Sequence, residues 1–188
     1  MEWFPKNNNI RLNFENLGFT PASVIMLGCS YYSGNYENIF QKFRFRISRY
    51  ALGKDYHSVL KKKATPLMDF LKNTYPLNKF RMGIDSLPIP EKVLAKNAGL
   101  GWRGKNTNLI NPELWSFFFL SSILTDLKIS HNISVCPDRC GSCRACIDAC
   151  PTNALFEEYK IDASKCISYL TIEDKTPIQN NPLNAKTR

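Results

Sequence analysis

The chain has 188 residues, of which 44% are hydrophobic and 12% aromatic, and its formal net charge is +9. That is enough apolar material for one good-sized domain, or a core with a small appendage, and it excludes an intrinsically disordered chain. The basic excess is the footprint of a protein that meets polyanions, although charge alone fits a merely basic soluble protein equally well.

No apolar run reaches the roughly 18 residues that a membrane span requires. The most apolar stretch, Trp115 to Leu124, is short and carries Ser116, Ser121 and Ser122. The opening residues, MEWFPKNNNIRLNFE, have no apolar core between basic and small residues, so no secretory signal is expected and the default address is the cytoplasm.

Along the chain, Ser23–Tyr32 (SVIMLGCSYY) is short, apolar and rich in β-formers, which predicts a buried strand. Much of the positive charge lies in Lys42–Lys63, where aromatics stand among the cations; this suits phosphate contacts with base stacking, and equally a solvated helix face. Asp55–Asn73 has helical spacing, with Val59, Leu60, Leu67, Phe70 and Leu71 available for one face and Pro66 expected to bend or divide it. Phe80–Ile84 reads as a short strand ending at Asp85. Pro90–Ala98 reads as a helix, with proline near its start and Gly99 just past its end. A glycine-rich loop, GLGWRGKNT, follows, and then Asn108–Ile110 and Phe117–Thr125, whose aromatic and branched residues favour strands. From Ser130 the composition turns to Cys, Pro and small polar residues, marking a second module. The expected organisation is therefore 1–130, 131–173, and a loose polar tail over 174–188.

Cysteine makes the sequence specific. Five of the seven cysteines fall between Cys136 and Cys150, which in an intracellular chain argues for metal rather than disulfides. Cys140, Cys143, Cys146 and Cys150-Pro151 form C-x2-C-x2-C-x3-C-P. Tight two-residue spacers let successive thiolates reach different irons of one cube, and the fourth cysteine of such a run ligates a second cluster in two-cluster ferredoxins. A structural zinc site needs two separated pairs instead. Two all-cysteine tetranuclear clusters need eight thiolates. Cys140, Cys143 and Cys146 supply three corners of the first cluster. Cys150 and Cys166 can supply two of the second, which leaves three without a donor. If one cluster forms, Cys166 is the natural fourth ligand. Cys29, in a predicted strand, reads best as a small hydrophobe.

Gly99-Leu-Gly101-Trp-Arg-Gly104 matches G-x-G-x-x-G, with Asp126 downstream where a ribose contact would fall. A dinucleotide fingerprint must follow a strand and open a helix. Here a helix precedes the glycines, so a backbone turn allowing close approach is the better reading.

Five ordered segments carry a resemblance. They are Ile47-Ser-Arg-Tyr-Ala-Leu-Gly-Lys-Asp-Tyr-His57, Ile84-Asp-Ser-Leu-Pro88, Asn97-Ala-Gly-Leu-Gly-Trp-Arg-Gly-Lys-Asn-Thr-Asn-Leu-Ile110, Cys140-Gly-Ser-Cys143 and Cys166-Ile-Ser-Tyr-Leu-Thr-Ile-Glu173. Together, from about Met1 to Glu173, they resemble the epoxyqueuosine reductase family. The resemblance implies an α+β chain: a corrinoid-binding, nitroreductase-like α/β domain followed by a small ferredoxin-like iron–sulfur module. It implies cobalamin and two 4Fe-4S clusters, and reduction of epoxyqueuosine to queuosine at the tRNA wobble position, the final step of queuosine biosynthesis. Asp85, in the segment corresponding to the family's D-S-x-P, is implied as the proton donor to the departing epoxide oxygen; the bland alternative is a helix cap or turn. Leu109, Leu120 and Ser168 are implied corrin contacts. Lys175 and the basic segment Arg44–Lys63 are implied tRNA phosphate contacts. His57 is expected to be a structural hydrogen-bonder rather than a cobalt ligand.

Relatives are expected to have further residues before the segment resembling MEWFPKNNNIR, and a second cysteine cluster after Thr171–Glu173, which agrees with the three missing thiolates. Pro90 also stands where relatives usually keep another residue. Two rival readings are an iron–sulfur electron-transfer module with no substrate of its own, and an inactive piece of the reductase. A monomer with an unidentified electron donor and no membrane partner is expected.

Overall fold

The computed structural model describes residues 14, 18–32, 48–131 and 134–175. The N-terminal segment through residue 13, residues 42–47 of the basic stretch, and the tail from 176 lie outside the described residues. The chain divides into two compact units, Met1–Gly101 with Asn111–Cys136, and Trp102–Ile110 with Pro137–Arg188. Trp102–Ile110, which composition assigned to the first module, thus packs with the cysteine segment. Among the described residues no helix is long and apolar enough to cross a membrane.

The first unit is built on a three-stranded antiparallel sheet. Strand β1 (Ser23–Ser30) and strand β2 (Phe80–Gly83) flank a central strand, β5 (Phe118–Thr125). Ser23 pairs with Thr125 and Ser30 with Phe118, while Phe80 pairs with the same Thr125 from the other side. Alternate residues of β5 therefore serve opposite faces. Ile123 packs with Met68 and Leu71 of helix α1 (Tyr56–Thr74), flanked by Ile25, Leu27, Phe80 and Met82. Leu124 packs with Ile89 on the opposite side, with Val24, Leu87 and Leu94, the last from helix α2 (Glu91–Asn97). Ile123 and Leu124 are fully buried, which stabilises the fold by about 1.5–3 kcal/mol for each side chain.

Sequence and structure differ in two elements. Only Met26 of β1 is buried: among the described residues the strand lies at the sheet edge and pairs on one side alone, with β5. Helix α1 runs unbroken through Pro66. The carbonyl that loses its partner there belongs to Lys62, an exposed residue, so water can take the missing bond. Its buried stripe, Leu60, Ala64, Met68 and Leu71, keeps a helical period across the proline.

The second unit contains a small hairpin, β3 (Trp102–Arg103) with β4 (Leu109–Ile110), and the cysteine segment with helix α3 (Ala145–Asp148). A Cβ on Gly104 would overlap Ile110 Cδ1 and stand 2.8 Å from Asn106 Oδ1, so the hairpin turn closes only around a glycine. A 3-10 turn at Ala163–Lys165 carries the chain to Cys166, and a π-helical turn follows at Tyr169–Glu173.

Candidate active site and cluster ligands

Asp85 lies just past the end of β2, exposed, with a left-handed backbone (φ 52°). Such a conformation is strained for a non-glycine residue and persists only when neighbours fix it. It does not cap α2: the N-cap is Pro90, which makes no side-chain capping bond. Instead the Tyr56 hydroxyl donates to Asp85 Oδ2 at 2.7 Å. Burial, reinforced by that bond and the neighbouring charge, pushes the Tyr56 phenol well above its usual range, so it stays a donor.

Tyr56 is held from several directions. It opens α1, where Asp55 caps the helix by accepting from the His57 backbone N–H at 3.2 Å and the Ser58 hydroxyl at 3.0 Å. The Tyr56 ring stacks on Phe119 of β5 with centroids 4.4 Å apart and planes 7° apart. The His57 ring also stacks on it, with centroids 4.0 Å apart, and places Nδ1 2.9 Å from Asp55 Oδ1. Those contacts make His57 a structural hydrogen-bonder. Its bond, with that of Ser58, holds the Asp55 carboxyl down to about 2.

Sequence reasoning missed Glu91, the first residue of α2. Its carboxyl group accepts the Asp85 backbone N–H, while burial, followed by the Asp85 charge, raises it to about 7. Its Oε1 is buried with no hydrogen-bond partner. An acidic residue after proline at a helix start looks like an ordinary dipole partner, and nothing in the local pattern marks it as buried.

In the second unit, Cys140 begins a turn in which the Cys143 N–H reaches the Cys140 carbonyl at 3.0 Å. Gly141 adopts φ 49° there. Cys146 lies on α3 and Cys150 just past it, where the Cys150 N–H reaches the Ile147 carbonyl at 3.1 Å. All of these cysteines, and Cys166, are free thiols at least partly exposed. Burial raises the Cys150 thiol, but the backbone N–H groups of Leu155, Thr152 and Ala154 and the Thr152 hydroxyl outweigh it and hold the group below its usual range. Several donors aimed at one sulfur favour a thiolate, the form a cluster requires. The thiol chemistry therefore fits an iron–sulfur cluster. Among the described residues no three Cys, His, Asp or Glu side chains are gathered for a single metal ion. A cubane asks for something wider, with one sulfur at each of several irons.

The glycine loop serves this unit. Trp102 Nε1 donates to Cys140 Sγ at 3.4 Å. Lys105, 4% exposed, donates from Nζ to the Gly141 carbonyl at 2.6 Å and pairs with Glu158 Oε1 at 2.8 Å. Tyr159 donates to Asp138 Oδ2 at 2.6 Å, and Asp138 Oδ1 accepts the Cys140 N–H at 2.7 Å. Cys140 and Gly141 are thus gripped from both sides. The loop follows a helix and opens a strand, and Asp126 is spent on Asn78 and the Lys79 N–H. No dinucleotide geometry is present in it.

Of the implied corrin contacts, Leu120 is half-buried on β5 opposite Gly28, and Ser168 is exposed two residues past Cys166. Leu109, at 5% exposure, offers a ligand little surface. Cys29 is only half-buried, with Lys63 Nζ 3.5 Å from its sulfur. Lys61, Lys62, Lys63 and Lys175 are exposed, whereas Arg49 lies over the Tyr32 and Phe117 rings at 5.5 and 5.4 Å.

Residues 139–187 match the family described as "4Fe-4S double cluster binding domain". With the thiol run, that match defines an α+β protein bearing an iron–sulfur cluster-binding unit. Residues 11–86 match "Epoxyqueuosine reductase QueG, DUF1730". The epoxyqueuosine reductase of Leadbetterella byssophila is 42% identical over 180 residues, covering 96% of this chain and 58% of that protein. The structure of epoxyqueuosine reductase from Streptococcus thermophilus superposes with TM-score 0.68 at 30% identity, over 81% of this chain and 40% of the other. A further epoxyqueuosine reductase structure, with an epoxyqueuosine-modified tRNA-Tyr stem loop, gives TM-score 0.64 at 30% identity, over 78% of this chain and 39% of that one. Over nearly its whole length the chain is therefore similar to epoxyqueuosine reductases. It spans about half the length of the curated relatives it matches.

Proposed function

We propose that this chain carries out the cobalamin-dependent reduction of epoxyqueuosine to queuosine in tRNA, with Asp85 delivering a proton to the departing epoxide oxygen. The observation that carries this reading is the Asp85 side chain itself: exposed, on a strained turn, and aimed by a phenol that stays protonated. An alkoxide is a poor leaving group, so the reaction needs a positioned acid. Similarity to the reductases and the tRNA stem loop bound by a structural relative support the same substrate.

On this reading the nitroreductase-like domain over about 1–130 receives the corrinoid, and the ferredoxin-like module over about 131–173, with the Trp102–Ile110 hairpin, receives the clusters. Cys140, Cys143 and Cys146 hold one 4Fe-4S cluster, completed by Cys166 if it stands alone. Otherwise Cys150 and Cys166 belong to the second. Cobalamin, when bound, would supply a low-potential centre for the reduction, and Leu109, Leu120 and Ser168 would be its contacts, of which Leu109 has little surface to offer. Lys61, Lys62, Lys63 and Lys175 meet tRNA phosphates. The chain works in the cytoplasm as a monomer fed by a separate electron donor.

Anaerobic reconstitution with iron, sulfide and cobalamin tests this. About four or about eight irons per chain and a corrin absorption band are expected, with conversion of epoxyqueuosine in a tRNA stem loop. Iron without a corrin band or conversion would favour a bare electron-transfer module.

A further inference from the structure

Glu91 has no role in the reading above, yet it is the most unusual carboxyl group among the described residues of the first unit. One of its oxygens, Oε1, is sealed from water with no partner. An ionised carboxylate in that state is costly, whereas the protonated form removes the charge. Its neighbours are equally specific. The group accepts the N–H of Asp85, whose left-handed backbone needs outside support. The titratable groups acting on it are Asp85, from the loop after β2, and Tyr56, from the start of α1. The side chains packed around α2 from β1, β5 and the preceding loop, Val24, Leu124, Leu87 and Ile89, are apolar.

We propose that Glu91 is a positioning and proton-holding partner of Asp85, pinning the turn that presents Asp85 and storing on its buried carboxyl the proton with which Asp85 is reloaded. This rests on the reductase reading. Removing an epoxide oxygen as water breaks two C–O bonds, forms one C=C bond, and consumes two electrons and two protons. The electrons come from a low-potential one-electron donor through the iron–sulfur clusters. Asp85 takes the Glu91 proton and gives it to the oxygen as the first C–O bond breaks. A second proton, drawn from solvent by way of Glu91, reloads Asp85 and is given up as the oxygen leaves as water. Solvent reprotonates Glu91 between turnovers. The unperturbed range of a carboxyl group would leave it empty at neutral pH; Glu91, raised to about 7, keeps a proton there.

The test joins two readouts on the full chain. In 13C-carboxyl NMR of the reconstituted protein, Glu91 titrates near neutrality, and Asp85→Asn lowers that midpoint by about half a unit or more by removing a neighbouring charge. In turnover of a modified tRNA stem loop, Glu91→Gln lowers kcat by about tenfold to a hundredfold, leaves KM unchanged, and abolishes the limb of the pH profile near 7. A Glu91 midpoint in the ordinary carboxyl range, or one unmoved by Asp85→Asn, overturns the proposal even if Glu91→Gln does not fold. So does a wild-type kcat and pH profile in Glu91→Gln. A wild-type chain that loads its cofactors and turns nothing over defeats the reductase reading instead, and the Asp85–Glu91 coupling is still decided by the titration.

Discussion

The Tyr56 hydroxyl meets Asp85 Oδ2 at 2.7 Å, joining the first residue of α1 to the loop after β2. The Phe119 stack fixes the ring and the Asp55 cap fixes the helix start, so the hydroxyl has little freedom to move away. Removing it should therefore release Asp85 rather than merely lose one bond. Tyr56→Phe is expected to cost only about 1 kcal/mol of stability while lowering kcat by at least tenfold. Thermal melts and single-turnover assays check the two together; a variant with normal kcat would show that the tyrosine does not aim the acid.

Trp102 Nε1 donates to the sulfur of the proposed ligand Cys140. Hydrogen bonds to cluster sulfurs favour the more negative, reduced state. Trp102→Phe keeps the aromatic bulk and should make the cluster midpoint potential more negative at unchanged iron content. Protein-film voltammetry reads the shift, and an unmoved potential would place Cys140 outside the cluster.

Lys105 is buried under the Cys140–Cys143 turn, bound to the Gly141 carbonyl and to Glu158. Breaking a buried pair by removing one partner typically costs about 3–5 kcal/mol. The Glu158 side chain is 40% exposed, so solvent screens part of that, and we expect about 2–3 kcal/mol for Lys105→Met. Chelator-driven iron loss should accelerate in step. Stability and iron retention equal to wild type would refute the clamp.

Glu91 also predicts a pH dependence of stability. Its folded value of about 7 lies above the ordinary 4.5, so the native state binds more protons than the unfolded chain between them. The stabilisation is thus fully present below about 4.5 and is lost as pH rises through about 7. Glu91→Gln should remove that loss and be the more stable protein at pH 8, by on the order of 2 kcal/mol after discounting for partial exposure. Denaturant melts at pH 5 and pH 8 settle it; parallel wild-type and variant curves would contradict it.

The cluster-binding unit was legible because a cube dictates cysteine spacing along the chain, and spacing is what a sequence records. Asp85 was singled out by its motif, whereas its left-handed backbone and its phenol partner could not be read there, since they arise from β2, α1 and β5 meeting. The burial of β1 was overread because apolar composition does not say whether a strand lies at a sheet edge. Lys105, which its place in the glycine loop left without a role, anchors the cysteine turn 36 residues away. Glu91 escaped because a helix-start glutamate looks the same whether its carboxyl faces water or a second acid.

The most direct measurement is nucleoside mass spectrometry of an epoxyqueuosine-bearing tRNA stem loop after incubation with the anaerobically reconstituted chain, cobalamin and a chemical reductant. The account predicts that the modified nucleoside becomes lighter by one oxygen atom in the wild type and far more slowly in Asp85→Asn. Folded, iron-loaded, corrin-bearing protein that leaves the nucleoside unchanged, or an Asp85→Asn variant as fast as wild type, would contradict it.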